Sequence, residues 1–264
     1  MTDTLNTVYL GIIEGITEFL PISSTGHLLV SEQFLGARSE LFNVGIQAGA
    51  ILAVVLIYQR RLLDLLLHTS RPENRDYLIK FTVSVLITLV LGFISTRLGF
   101  KLPETVEPVA IAFVVGGVAI LVIESYIATR PRSEVLTWSV AIWVGLLQVV
   151  AGIFPGTSRS AATIFAAMLA GLTFRPAATE FAFLVGIPTM FAATGYELLK
   201  ARHDAATEDW NALVIGFVVS GIVAFIAVKW LLHYIQSHRF TIFAWYRIVL
   251  GVALLAMAHQ GIVH

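Results

Sequence analysis

The chain has 264 residues, of which 57% are hydrophobic and 13% charged, with no net charge and no cysteine. Charged residues this scarce exclude an ordinary soluble domain, where about a quarter are charged, and point to an integral membrane protein. The lack of cysteine excludes a disulfide framework and thiolate chemistry, and the lack of a basic tract argues against nucleic acid as a partner.

No basic segment precedes the first apolar stretch, so no cleavable signal peptide is expected. That stretch, 5–29, is interrupted at Pro21 and by a cluster of polar residues. Apolar runs able to cross a bilayer, which takes ~20 residues, follow near 42–58, 77–96 and 108–127. The first of them is short, so it must cross with little tilt or borrow residues from its flanks. A second interrupted stretch, 136–171, breaks at Pro155, and three more spans are expected near 178–199, 211–235 and 243–262. Non-helical backbone survives at membrane depth only where protein or water surrounds it. Both interrupted stretches therefore read as re-entrant helical hairpins. The expected fold is all-α, with six transmembrane helices plus two re-entrant hairpins.

The hairpins share a frame. In "GIIEGITEFLPISSTGH" (11–27) and "GLLQVVAGIFPGTSRSA" (145–161), Gly11 meets Gly145, Glu14 meets Gln148, Pro21 meets Pro155 and Ser24 meets Ser158. The same offset pairs Gly117 with Gly251 in the last span of each half. The chain thus reads as one membrane domain, 1–264, made of repeats 1–130 and 131–264, each a hairpin plus three spans. Three crossings place the second copy on the opposite side, so an inverted repeat is expected, with the hairpins meeting near the midplane. The basic residues Arg60, Arg61, Arg71, Arg75, Lys80, Arg130, Arg132, Arg175, Lys229, Arg239 and Arg247 are assigned to the cytoplasmic side. Arg38, Arg97, Lys101, Lys200 and Arg202 are left outside, with both termini.

The hairpins also hold the polar clusters. Glu14 and Glu18 lie four residues apart, so a helix projects both carboxyls from one face. Two such groups in a poorly solvated place either hold a proton or recruit a cation. After Pro21, "SSTGH" begins a new half-helix, whose free N–H groups and dipole suit an anion. Ser23, Ser24, Thr25 and Gly26 are candidate ligands there; for Ser23 and Thr25, capping and ligand contact both stand. His27 titrates near neutrality when unperturbed and is the candidate for proton transfer. The second turn, "PGTSRS", offers Gly156, Thr157, Ser158 and Ser160 around Arg159, whose fork matches phosphate oxygens. Arg159 as a structural partner of Glu14 or Glu18 is the competing reading. Acids and a histidine from one half, and an arginine on an anion-binding turn from the other, describe phosphoryl transfer at a membrane. Glu124, Glu180 and Glu197 read as interfacial charges, and the tryptophans as an aromatic belt.

With these two motifs and this span count, the sequence resembles the undecaprenyl-pyrophosphate phosphatase family of bacteria, also called bacitracin-resistance proteins, over essentially its whole length. The resemblance implies dephosphorylation of the C55 polyprenyl pyrophosphate to its monophosphate, recycling the lipid carrier for cell-wall synthesis and conferring bacitracin resistance. It implies a multi-pass protein of the plasma (inner) membrane with a site open to the periplasmic side, and a divalent cation, Mg2+ or Ca2+, held by Glu14 and Glu18. Glu18, Ser24, His27 and Arg159 take the catalytic positions. Ser24 attacks the terminal phosphorus, or water attacks directly with Ser24 only binding. The family often has an acidic residue where Asn43 stands, which leaves the metal without a third carboxylate. The expected partners are the lipid substrate, membrane lipids and a second copy of the chain. A secondary transporter or lipid flippase working from the same midplane site is the rival reading.

Overall fold

The computed structural model describes residues 2–100, 105–201 and 208–263. Lys101 and Arg202, assigned above to the outer side, lie outside the described residues. Ten helices succeed one another: α1 (Thr2–Thr17), α2 (Ser24–Leu35), α3 (Glu40–Leu67), α4 (Pro72–Arg97), α5 (Val106–Ile127), α6 (Trp138–Ile153), α7 (Arg159–Leu169), α8 (Arg175–Ala201), α9 (Trp210–Tyr234) and α10 (Thr241–His259). No strand occurs among the described residues. Helices α3, α4, α5, α8, α9 and α10 are long and apolar enough to cross a membrane, so the chain is an all-α multi-pass membrane protein.

The short first span resolves by borrowing. Ser39 caps α3 by accepting from the Phe42 N–H at 2.9 Å. The helix then runs on through Arg60 and Arg61 to Leu67. Helix α3 lies antiparallel to α8, with Arg61 bonded to Glu180 at 3.2 Å near one end and Lys200 3.7 Å from Glu40 at the other. These two are the most enclosed spans, whereas α4 keeps Leu86, Val90 and Phe93 exposed. An apolar face with no protein against it is what a lipid-facing helix needs.

The four shorter helices pair off. Asn6 at the start of α1 donates to the Leu35 carbonyl at the end of α2 at 2.8 Å. The Phe174 N–H after α7 donates to Ser133 before α6 at 2.9 Å. Each pair therefore leaves near where it entered, and the breaks, residues 18–23 and 154–158, lie at its tip.

The last spans of the two halves meet closely. A Cβ on Gly117 of α5 would stand 2.7 Å from the Ala244 carbonyl of α10 and against Ile248. A Cβ on Gly251 would stand 2.7 Å from the Ala110 carbonyl and against Val114. Residue numbers rise in one helix as they fall in the other, so α5 and α10 run antiparallel with reciprocal contacts.

Three charges are enclosed by protein rather than left at an exposed surface. Arg247, counted with the cytoplasmic loops, is fully buried about two turns inside α10. Lys80 is buried against Asp76 at 2.6 Å and the Leu136 carbonyl at 2.8 Å. Glu124, expected at the interface, is 1% exposed. It accepts from two guanidinium nitrogens of Arg175 and from the Phe240 N–H, tying α5, α8 and the start of α10 together. Periodicity locates the spans, but charge placement depends on which helix faces are covered.

The α5–α10 contact predicts a paired result in thermal unfolding of the detergent-solubilised protein. Gly117→Ala should lower the midpoint, because overpacking a close backbone contact costs ~1–3 kcal/mol. Gly92→Ala, with nothing within 4 Å of the added Cβ, should leave it unchanged or slightly raised through helix propensity.

Candidate active site

Both breaks end the same way. Ser23 caps α2 with φ 73° and Ser158 caps α7 with φ 70°. These are the only non-glycine residues among those described with positive φ. Left-handed backbone is costly for such residues and collects at functional sites. The common offset paired Ser24 with Ser158. Instead Ser23 and Ser158 are the matching caps, because the second turn carries one more residue between its proline and its cap. Ser24 and Arg159 therefore occupy the same position, the first residue of their helices, where N–H groups lack helical partners.

Those two residues meet on one carboxylate. The Ser24 hydroxyl donates to Glu18 Oε2, and Arg159 donates to Glu18 Oε1 at 2.5 Å. Glu18 is buried, whereas the Arg159 side chain is 28% exposed. The Glu14 carboxyl lies one turn earlier on the same face of α1. It is buried, and its Oε2 has no hydrogen-bond partner. Two buried carboxyls one turn apart disfavour each other's ionisation, which a proton or a cation relieves. Beside Glu18 and Arg159 is a cavity of about 20 Å³, also lined by Gln148, Ser160, Phe183 and Met190; it has room for about one water.

The other expected site residues divide by what they touch. Ser160 donates to the Leu20 carbonyl at 2.9 Å and lies 3.0 Å from the Ser158 hydroxyl, joining the second turn to the first. Gly26 packs where a Cβ would strike the Phe113 ring, and Gly156, at φ 84°, lies against the Val109 backbone. Thr25 is exposed and Thr157 half-buried. His27 does not bond to Ser24. Its Nδ1 lies 2.7 Å from the Ser23 carbonyl and its Nε2 2.7 Å from the Tyr246 hydroxyl. A carbonyl only accepts, so Nδ1 carries a proton, and in the neutral ring Nε2 accepts from the Tyr246 hydroxyl. Asn43 donates to Glu32 at 2.9 Å, on the pairing of α2 with α3.

Tyr246 and Arg247 of α10 escaped the sequence reading. Tyr246 stacks on His27 with ring centroids 5.6 Å apart. Arg247 inserts its guanidinium between the turns. It donates to the carbonyls of Pro21 at 3.3 Å, Gly156 at 3.0 Å and Thr157 at 3.2 Å, and to Ala112 and Phe113 of α5 at 2.9 and 3.5 Å. The available signal was an arginine inside an otherwise apolar span, which marks a functional position by default. The tally of basic residues by side absorbed it.

A model of the Bacitracin resistance protein BacA family matches residues 7–253. An undecaprenyl-diphosphatase of Rhizobium etli is 63% identical over 263 residues, 99% of each chain. One of Rhizobium leguminosarum bv. trifolii is 63% identical over 264 residues, again 99% of each. One of Xanthomonas oryzae pv. oryzae is 56% identical over 257 residues, 97% of each.

The placement of Arg247 predicts that Arg247→Met, similar in length and uncharged, unfolds at a lower temperature than wild type. It leaves the turn carbonyls unpaired, at ~1–3 kcal/mol for each buried group. Arg60→Met, at an exposed position, should lower the midpoint much less. Equal midpoints for Arg247→Met and wild type would show that the turns do not depend on the guanidinium.

Proposed function

Because the chain belongs to the Bacitracin resistance protein BacA family, we propose that its two broken turns form one phosphatase site, each supplying half of the chemistry. The chain dephosphorylates undecaprenyl pyrophosphate to the monophosphate, which returns the carrier to cell-wall synthesis and confers bacitracin resistance. One observation carries the assignment of roles: a single buried carboxylate, Glu18, accepts from Ser24 of one turn and from Arg159 of the other.

The pyrophosphate meets the N-termini of α2 and α7, where N–H groups and helix dipoles favour an anion. Arg159 is held by one hydrogen bond and is partly exposed, so it exchanges Glu18 for phosphate oxygens, which its fork binds in pairs. Glu18, relieved of that partner, takes the proton of Ser24. The Ser24 Oγ–P bond forms at the terminal phosphorus while the bridging P–O bond breaks, and the lipid monophosphate leaves with the electron pair and takes the proton from Glu18, which is a carboxylate again. Water, deprotonated by the same carboxylate, then cleaves the serine ester and releases inorganic phosphate. Direct attack by water with Ser24 as a ligand uses the same groups. His27, bonded to the Ser23 carbonyl and Tyr246, holds the strained cap rather than the reacting proton.

Glu14 and Glu18 are the residues that would hold a divalent cation. The unpartnered buried oxygen of Glu14 fits that role. Among the described residues no three His, Asp or Glu side chains cluster for a metal. Two carboxylates suit an ion such as Mg2+, which keeps waters and takes substrate phosphates as further ligands. When bound, the cation neutralises pyrophosphate charge. The inverted duplication belongs to this proposal, supported by the antiparallel, reciprocal packing of α5 on α10. So does a plasma-membrane site opening away from the face that carries Arg60, Arg61, Arg71 and Arg75.

The test is phosphate release from a polyprenyl pyrophosphate by the purified protein in detergent. Glu18→Gln and Arg159→Ala should each reduce turnover by at least ~100-fold, and a chelator should abolish it. With labelled substrate, acid quenching should trap phosphoserine in wild type and none in Ser24→Ala. Near-normal turnover by Ser24→Ala would leave water as the nucleophile. No release by folded wild type supplied with magnesium or calcium would sink the phosphatase reading.

A further inference from the structure

A second charged feature lies away from the broken turns. A cavity of about 290 Å³ is lined by Arg130, Arg132, Arg175 and Arg239, with Thr173 and Gln236. Its walls are the end of α5, the start of α8, the end of α9 and the approach to α10. Four membrane spans end there together, so the cavity sits at headgroup level on the face that carries the other basic loops.

Two of the four arginines are matched by carboxylates. Arg175 is bound by Glu124, and Arg132 lies 2.6 Å from Glu134. Arg130 bonds to the Tyr126 hydroxyl and covers its ring at 4.5 Å, with no ion pair among the described residues. Arg239 has no hydrogen bond or ion pair among the described residues. The walls are built. Thr173 accepts from the Ser133 N–H at 2.8 Å and donates to the Pro131 carbonyl at 2.7 Å, and Arg132 lies 3.6 Å over the Phe174 ring. The loops before α6 and after α7 thus form one joined rim. Just inside the membrane from that rim, Val122 and Tyr126 of α5 and Ile242 of α10 are exposed.

We propose that this cavity binds the phosphate headgroup of an anionic membrane lipid, with the acyl chains along the exposed sides of α5 and α10. Arg130 and Arg239 supply the unmatched positive charge, and guanidinium forks suit phosphate oxygens. The position at the ends of spans, above exposed apolar side chains, selects a lipid over free phosphate, which needs no apolar wall. Basic pockets between spans on the cytoplasmic side recognise headgroups in this way. The site is separate from Glu18, Ser24 and Arg159, so the inference stands apart from the phosphatase assignment.

The experiment is native mass spectrometry of the detergent-solubilised full chain titrated with phosphatidylglycerol, phosphatidylcholine or inorganic phosphate. Wild type should retain phosphatidylglycerol in preference to phosphatidylcholine. The exposed pair Arg130→Gln/Arg239→Gln should bind it at least ~10-fold more weakly, as each arginine near the surface contributes about fivefold. Arg159→Ala should bind it as wild type does. Equal retention by the double variant, equal retention of phosphatidylcholine, or displacement by equimolar inorganic phosphate would each overturn the proposal. Phosphatidylglycerol with a photoreactive headgroup gives a check on wild type that no substitution can disturb. Labelling at 127–132 or 235–239 supports the site, and labelling confined elsewhere overturns it.

Discussion

Irregular backbone within a membrane protein needs hydrogen-bond partners that lipid does not supply. Here the need falls on two short breaks, and one side chain reaches carbonyls of both. Arg247 reaches the carbonyls of Pro21, Gly156 and Thr157 and anchors them to Ala112 and Phe113 of α5. A guanidinium suits this task because it carries five N–H donors in a fixed plane and accepts nothing. A carboxylate partner would have claimed some of those donors, and none is bonded to it among the described residues. Gly116 completes the arrangement, since a Cβ there would collide with the guanidinium. With the turns joined in this way, Ser24 and Arg159 come to face the same carboxylate.

The buried ion pairs differ in how fully their carboxylates are occupied. Glu124 is closed: two guanidinium nitrogens of Arg175 and a backbone N–H occupy its oxygens. Breaking such a pair leaves a bare buried charge and costs ~3–5 kcal/mol, so it serves to weld three helix ends. Glu18 is open. Arg159 reaches it through one hydrogen bond, keeps part of its surface exposed, and has donors left for another anion. The serine hydroxyl on the other oxygen is likewise exchangeable. A carboxylate held by two replaceable donors, beside a second carboxyl with a free oxygen, can change partners as the proposed reaction requires.

Rigidity around that exchange comes from the spans. Helices α5 and α10 pack against the breaks, and close backbone contact at Gly117 and Gly251 removes slack between the two helices. Van der Waals packing of small residues takes the place of hydrophobic driving force between helices in lipid. The strained caps Ser23 and Ser158 persist because their surroundings hold them, Ser23 through His27 and Tyr246, Ser158 through Ser160 and the first turn.

By itself the sequence determined what depends on composition and local pattern. Apolar runs separated by polar gaps locate six spans, Pro21 and Pro155 stop two helices, and the motifs around them name Glu14, Glu18, Ser24 and Arg159. Hydropathy and proline act over a few residues, so they can be read in one dimension. Only the tertiary structure decided which groups meet. Arg247 reads as one more basic residue near a span end until α10 folds against α5 and carries it between the breaks. Glu124 reads as an interfacial charge until Arg175 and the Phe240 N–H arrive from other helices to enclose it. His27 stands three residues from Ser24 and looks like its base, yet its ring turns to Ser23 and to Tyr246 from the last span. In each case the partner lies on a distant helix. Burial and hydrogen bonding depend on which faces pack together, and no local pattern records that.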